Sequence, residues 1–90
     1  MDQFKGRERF SDESLLKILN DLLIQVLGDS ATRAVIRYIE QNHSLRWEEV
    51  PKNLKGFFEA LKGIFGPGAV LLENLFKQRL GEIEEAVKLK

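Results

Sequence analysis

The only histidine and two nearby glutamates form the first group of side chains able to do chemistry. His43 is followed at loop spacing by Glu48 and Glu49. An imidazole and two carboxylates are able to bind a metal or transfer protons, but ligands on one flexible segment need a second shell to orient them. We therefore predict a solvated histidine at a helix end, where the helix dipole favours a cation.

A glycine-rich turn offers a second candidate, an anion site. Gly66, Pro67 and Gly68 precede a predicted helix, whose free N–H groups are able to hold an anion. Proline removes one donor, however, and no Lys or Arg follows before Lys77. The three residues match the preferences of helix boundaries, which favours a tight turn between two helices.

Three glutamates near the carboxyl end are the third candidate, a set of paired acids. Glu82, Glu84 and Glu85 fall on a predicted helix surface, and Glu84 lies four residues before Lys88. Such a pair stabilises a helix by a few tenths of a kcal/mol, so a solvated face is the expected role. Neither an acid–base pair nor a nucleophile–base pair can be named. The sequence predicts no catalytic residue, no cofactor, no metal site and no enzymatic activity.

Length and composition limit the classes of protein to which these groups belong. The chain has 90 residues, of which 43% are hydrophobic and 31% charged, and this balance predicts one globular domain. Cysteine is absent, which excludes disulfides and thiolate chemistry. The net charge is zero, so no overall field attracts nucleic acid or an anionic membrane. No stretch has the pattern of a signal peptide or a membrane span, and we expect a cytoplasmic protein.

Hydrophobic periodicity predicts an all-α fold, a compact four-helix domain with short loops. We expect a loose arm over residues 1–10, docked through Phe4 or Phe10, and a single helical domain over 11–90. The first helix is predicted over 12–27. Its polar stripe is narrow, so the helix should be nearly surrounded by protein.

The other helices are bounded by capping and breaking residues. The second is predicted over 31–42, capped by Asp29 or Ser30, and the third over 54–65. The fourth is predicted to begin at Pro67, and the segment 82–90 keeps a helical period beyond Gly81, which either ends or weakens the helix. The predicted inward face of the second helix consists of Ala31, Ala34, Val35, Tyr38 and Ile39.

Several short motifs carry a family resemblance. They are Val26–Ala31, Ala34–Ile39, the loop ending at Pro51, Phe57–Leu61 and Ile64–Ala69. Through them the stretch from Leu22 to Leu80 resembles the Nitrosopumilus output domain of the fifth type, and the Phe-Gly-Pro-Gly-Ala turn is the most specific part. The resemblance implies a small all-helical archaeal module without established chemistry, either free-standing or placed after signalling domains.

Apolar residues outside the predicted inward stripes indicate association with another protein. They lie in a polar stripe, at the edge of an apolar arc or in a polar connection, and they are Ile24, Ile36, Trp47, Val70 and Leu71. Leftover apolar surface usually marks a partner. The alternative is a deeper core in which Trp47 closes the end of the bundle. We expect a non-enzymatic interaction or regulatory module that binds a protein partner or forms a homodimer.

A nucleic-acid-binding regulator is the second hypothesis. The second and third predicted helices flank a connection, as in a helix-turn-helix, and the basic residues available there are Arg33, Arg37, Lys52 and Lys55. The connection over 43–53 is longer than the three or four residues of a standard turn. A neutral chain also gains little from counterion release. Nucleic acid is therefore the less favoured partner.

Overall fold

The chain folds into four α-helices and one 3₁₀ helix. The computed structural model describes the backbone of residues 10–88 and the side chains of residues 10–83. The elements are α1 Asp12–Leu27, α2 Asp29–His43, a 3₁₀ helix Trp47–Lys52, α3 Leu54–Phe65 and α4 Gly68–Lys88. The predicted all-α fold is confirmed, and the described residues contain no strand.

The first helix has the bounds that its capping residues predict. The Ser11 hydroxyl accepts the N–H of Ser14 at 3.1 Å, which satisfies one free donor of the first turn. Gly28 ends the helix with φ of 92°, a backbone conformation that glycine adopts without strain. Before α1, Phe10 is half-buried and packs against the core. The rest of the predicted arm, Phe4 included, lies outside the described residues.

The second helix begins earlier than predicted. It starts at Asp29, so capping by Asp29 or Ser30 is wrong, and Gly28 alone separates it from α1. The Gly28 carbonyl accepts both the Thr32 N–H at 3.1 Å and the Thr32 hydroxyl at 2.7 Å. One glycine therefore ends α1 and also supplies the first acceptor of α2.

The predicted inward face of α2 is also corrected. Its buried residues are Thr32, Val35 and Ile39. Three residues predicted to face inward are exposed: Ala31, Ala34 and Tyr38. Thr32 can replace them in the interior because its hydroxyl is satisfied by the Gly28 carbonyl, so burying it leaves no unpaired polar group.

Four aromatic side chains pack in a row, one from the 3₁₀ helix, two from α3 and one from α4. Ring centroids are 6.0 Å apart for Trp47 and Phe57, 5.5 Å for Phe57 and Phe58, and 5.7 Å for Phe58 and Phe76. Leu61 is fully buried beside them. The buried side of α3 consists of Leu54, Phe57, Phe58, Ala60 and Leu61, and α4 packs on it by direct aromatic contact.

The turn from α3 to α4 fixes where the last helix starts. Gly66 has φ of 60°, and its carbonyl accepts the N–H of Ala69 at 3.1 Å. Pro67 lies in this turn, one residue before α4, rather than at its first position as predicted. Its carbonyl accepts the N–H of Val70, so it still caps the helix through its backbone. Gly81 does not end α4, which continues to Lys88.

Candidate interaction surface

The position of α4 on the bundle follows from one buried stripe. Ala69, Leu72, Phe76 and Leu80 are all buried, at a spacing of three to four residues. They place the helix against α3 and α1, with which it is in contact. Because this stripe fixes the rotation of the helix, it also decides which residues of α4 point to solvent.

The most exposed positions of α4 between Gly68 and Gly81 are uncharged, and Lys77, whose side chain is 38% exposed, borders them. We define the α4 outer face as the exposed positions from Gly68 to Gly81, which are Gly68, Val70, Leu71, Asn74, Gln78 and Gly81. Val70 is 43% exposed and Leu71 is 58% exposed. Beyond Gly81, the next exposed charged residue is Glu82.

Charged residues at the edges of the α4 outer face are directed toward the chain itself. On one edge, the Lys77 ammonium lies 3.8 Å from the carboxylate of Glu73. On the other, Nη2 of Arg79 donates a hydrogen bond of 3.0 Å to Oε1 of Gln25 in α1. Both cations therefore have a polar partner within the described chain, Glu73 for Lys77 and Gln25 for Arg79.

One residue of α4, Glu73, has a buried carboxylate that the sequence analysis did not predict. Glu73 is 8% exposed and lies 3.8 Å from Lys62 of α3 and 3.8 Å from Lys77. Lys62 also lies 3.9 Å from Glu59. Paired cations offset the cost of taking a carboxylate out of water, so the cluster ties α3 to α4. The i,i+4 spacing of Glu73 and Lys77 was visible in the sequence, but the approach of Lys62 depends on packing.

The five residues predicted for an interface fall into two groups. Val70 and Leu71 are exposed on the α4 outer face. Ile24, Ile36 and Trp47 are half-buried, and Trp47 packs edge-on against Phe57. The structure therefore brings together two of the five, on one helix, and leaves the other three partly covered by the bundle.

The basic residues of the nucleic-acid hypothesis are exposed but do not form a recognition helix. Arg33 is 3.2 Å from Asp29, an ion pair within α2. Arg37, Lys52 and Lys55 are exposed on α2, the 3₁₀ helix and α3. The 3₁₀ helix fills the connection between α2 and α3, so these helices are not joined by a short turn. Their placement offers scattered charge rather than a continuous basic surface.

The residues considered for chemistry remain apart. His43 is exposed at the end of α2, with its ring 6.3 Å from the ring of Tyr38. The Glu49 carboxylate accepts the backbone N–H of Arg46 at 3.2 Å and so caps the 3₁₀ helix. No group of three potential metal-binding side chains occurs in the part of the chain that the structure describes. Glu84 and Glu85 lie outside the residues with described side chains.

Comparisons with other proteins add no assignment. No family model, curated protein or solved structure matches the chain. The resemblance to the Nitrosopumilus output domain therefore stays a prediction. Over residues 10–88, the structure contains no helix with the length and apolar character needed to cross a bilayer.

Proposed function

We propose that this chain is a non-enzymatic protein-interaction module that self-associates through the α4 outer face. The observation that carries the proposal is the exposure of Val70 and Leu71 among the uncharged exposed positions of α4. In the same proposal, the module acts in the cytoplasm of an archaeon as a regulatory or output-like component. Ile24, Ile36 and Trp47 stay in the proposal as half-buried apolar residues on other elements, separate from the exposed pair on α4.

Charge depletion supports a role in binding rather than in solvation. The buried centre of a protein interface is depleted of Lys, Glu and Asp and enriched in apolar groups. The α4 outer face has this composition, with two aliphatic residues, two amides and two glycines. Covering an aliphatic side chain contributes roughly 25 cal/mol for each Å² removed from water. Leu71 is the strongest candidate for the centre because it is the more exposed of the two aliphatic residues.

The composition of this face favours a second copy as the partner. In a two-fold symmetric dimer, the same patch meets itself, so any charge near the axis faces its own sign. The α4 outer face itself has no charge, and the Lys77 ammonium at its border is paired with Glu73 of the same helix. Gly81 adds room for close approach, since a Cβ built there meets no described atom within 4 Å.

Sedimentation velocity over a wide concentration range tests the proposal. We expect the wild-type chain to sediment faster as concentration rises, and Leu71→Glu to remain monomeric with unchanged helical content. Gln41→Glu is the matched control, because it adds the same charge at an exposed position of α2. A wild-type chain that stays monomeric at the highest concentration, or a Leu71→Glu variant that associates like wild type, would reject the proposed interface.

A further inference from the structure

A second surface, independent of α4, lies between α2 and α3. It is an apolar groove of about 470 Å³ lined by Ala34, Val35, Tyr38, Gly63 and Ile64. Ala34, Tyr38 and Gly63 are exposed, so the groove opens to solvent. It is a shallow, open groove rather than an enclosed pocket.

The small residues of the groove leave room that the chain does not use. Gly63 lies inside α3, where glycine costs about 0.5–1 kcal/mol relative to alanine. A Cβ built on Gly63 meets nothing within 4 Å among the described residues. Packing within the described chain therefore does not require glycine at this position. Together with Ala34 on the opposite helix, it allows another backbone to approach closely.

Tyr38 forms an aromatic wall with an available polar group. The residue is 48% exposed, and in the described part of the chain its hydroxyl makes no hydrogen bond. A tyrosine offers a rigid apolar ring and one hydroxyl at low entropic cost, which is why it is common at the centre of binding surfaces. The Tyr38 ring is thus suited to pack on an apolar side chain of a partner, and its hydroxyl to hydrogen-bond the partner's backbone.

The charges beside the groove indicate the sign of its partner. On the α3 side, the Lys62 ammonium lies within 3.9 Å of Glu59 and 3.8 Å of Glu73, so its charge is compensated. On the α2 side, Arg37 is exposed one helical turn from Ala34, and among the described residues its guanidinium has no ion pair. Arg37 is therefore the charge without an ion pair that lies nearest in sequence to the groove lining, and the exposed Glu40 lies almost one turn beyond it.

We infer that the α2–α3 groove binds an amphipathic helix of a partner protein, with apolar anchors over Ala34 and Gly63 and a carboxylate on Arg37. Helices that dock in this way place anchors at i and i+3 or i+4 in an apolar groove. A guanidinium binds a carboxylate through two parallel hydrogen bonds, which adds specificity for an acidic flank. A nucleic-acid backbone fits less well, since apart from the Tyr38 hydroxyl the lining is apolar and offers phosphates no side-chain donor.

A designed peptide tests this inference on the full chain. The probe is a fluorescent helical peptide of about 15 residues, a length at which isolated helices become marginally stable. It carries Phe and Leu anchors four residues apart and Glu on its flanks, and a matched peptide has Lys in place of Glu. We expect the acidic peptide to bind at least about tenfold more tightly than the basic one. Backbone amide shifts in the labelled protein should centre on Ala34, Tyr38 and Gly63.

Variants separate the groove from the rest of the surface. Gly63→Leu should abolish binding, and Arg37→Gln should remove the preference for the acidic peptide while the fold is retained. Ala34→Leu serves as a second blocking variant should Gly63→Leu fail to fold. Leu71→Glu should bind like wild type, which keeps this result separate from self-association through α4.

Four outcomes would overturn the inference. They are no binding at millimolar peptide, equal binding of the acidic and basic peptides, amide shifts centred on α4, and unchanged binding by both blocking variants. A random DNA duplex is included at low salt as a further probe. If the duplex shifts the same groove amides and competes with the peptide, the surface is a nucleic-acid site instead.

Discussion

The outer sides of α2 and α4 are both solvent-exposed, yet they differ in composition. The α2 side exposes four charged residues, Asp29, Arg33, Arg37 and Glu40. The α4 outer face has none, and exposes Val70 and Leu71 instead. Both helices pack on the same core through one buried stripe. The contrast therefore does not come from their depth in the fold and points to different demands on the two surfaces.

Charged residues of α4 contact other parts of the chain, whereas those of α2 lie in solvent. Glu73 is buried and contacts Lys62 and Lys77, and Arg79 is bound to Gln25. On α2, by contrast, Arg33 pairs with Asp29 in open solvent. Exposed ion pairs of this kind contribute little to the free energy of unfolding, and their side chains remain hydrated. On α2, charges pair with each other in solvent, whereas on the α4 outer face the exposed positions are uncharged.

The largest effect is expected from comparing neighbours on the two sides of α4. Leu72 is 3% exposed and Leu71 is 58% exposed. Leu72→Ala should lower the free energy of unfolding by about 2–5 kcal/mol, because it leaves a cavity in the core. Leu71→Ala, measured at concentrations where the chain is monomeric, should change it by less than about 0.5 kcal/mol. Urea denaturation followed by circular dichroism checks both, and equal losses would mean that Leu71 also supports the fold.

Adding a charge to α4 should make its outer face behave like that of α2. Asn74→Glu places two like charges near each other in a symmetric dimer, so self-association should weaken by about tenfold, or ~1.4 kcal/mol. Ser30→Glu, at an exposed position of α2, should leave association unchanged. Light scattering over a concentration series measures both variants. An identical response of the two helices would remove the proposed distinction between the surfaces.

A single methyl group should separate folding from association at Gly81. Gly81→Ala should raise the free energy of unfolding by about 0.5–1 kcal/mol, because alanine is the better helix former and its Cβ has open space. The same change should weaken self-association if two backbones approach closely there. Thermal unfolding and sedimentation of one sample set measure both effects. Stabilisation with unchanged association would place the contact elsewhere on α4.

Salt concentration should have the smallest effect on self-association through the α4 outer face. The α4 outer face carries no charge, so raising ionic strength from about 0.05 to 1 M removes no attraction across the proposed contact. We expect the association constant to change by less than about threefold, or ~0.6 kcal/mol. Acidic-peptide binding at Arg37 should weaken clearly over the same range. Strong salt dependence of self-association would instead implicate the charged surface of α2.

The sequence determined the helices whose ends carry strong local signals. Ser11 caps the start of α1 and Gly28 ends it. At the start of α3 the Asn53 side chain accepts the Gly56 N–H, and Gly66 ends that helix. Each signal acts through a hydrogen bond or a positive φ within a few residues, so no distant contact is needed. The apolar stripe of α3 was equally readable, because its period matches one side of a helix.

Tertiary structure alone decided which apolar and polar residues of α2 and α4 are covered. Periodicity placed Ala34 and Tyr38 inside, whereas the bundle buries Thr32 and exposes both. Likewise, the burial of Glu73 needs Lys62 from a neighbouring helix. The rotation of a helix about its own axis is set by its contacts with several elements together. Where an apolar stripe is wider than the surface in contact, the sequence does not determine which of its residues are buried. The candidate surface on α4 therefore consists of residues visible in the sequence, while their exposure side by side is a property of the packed bundle.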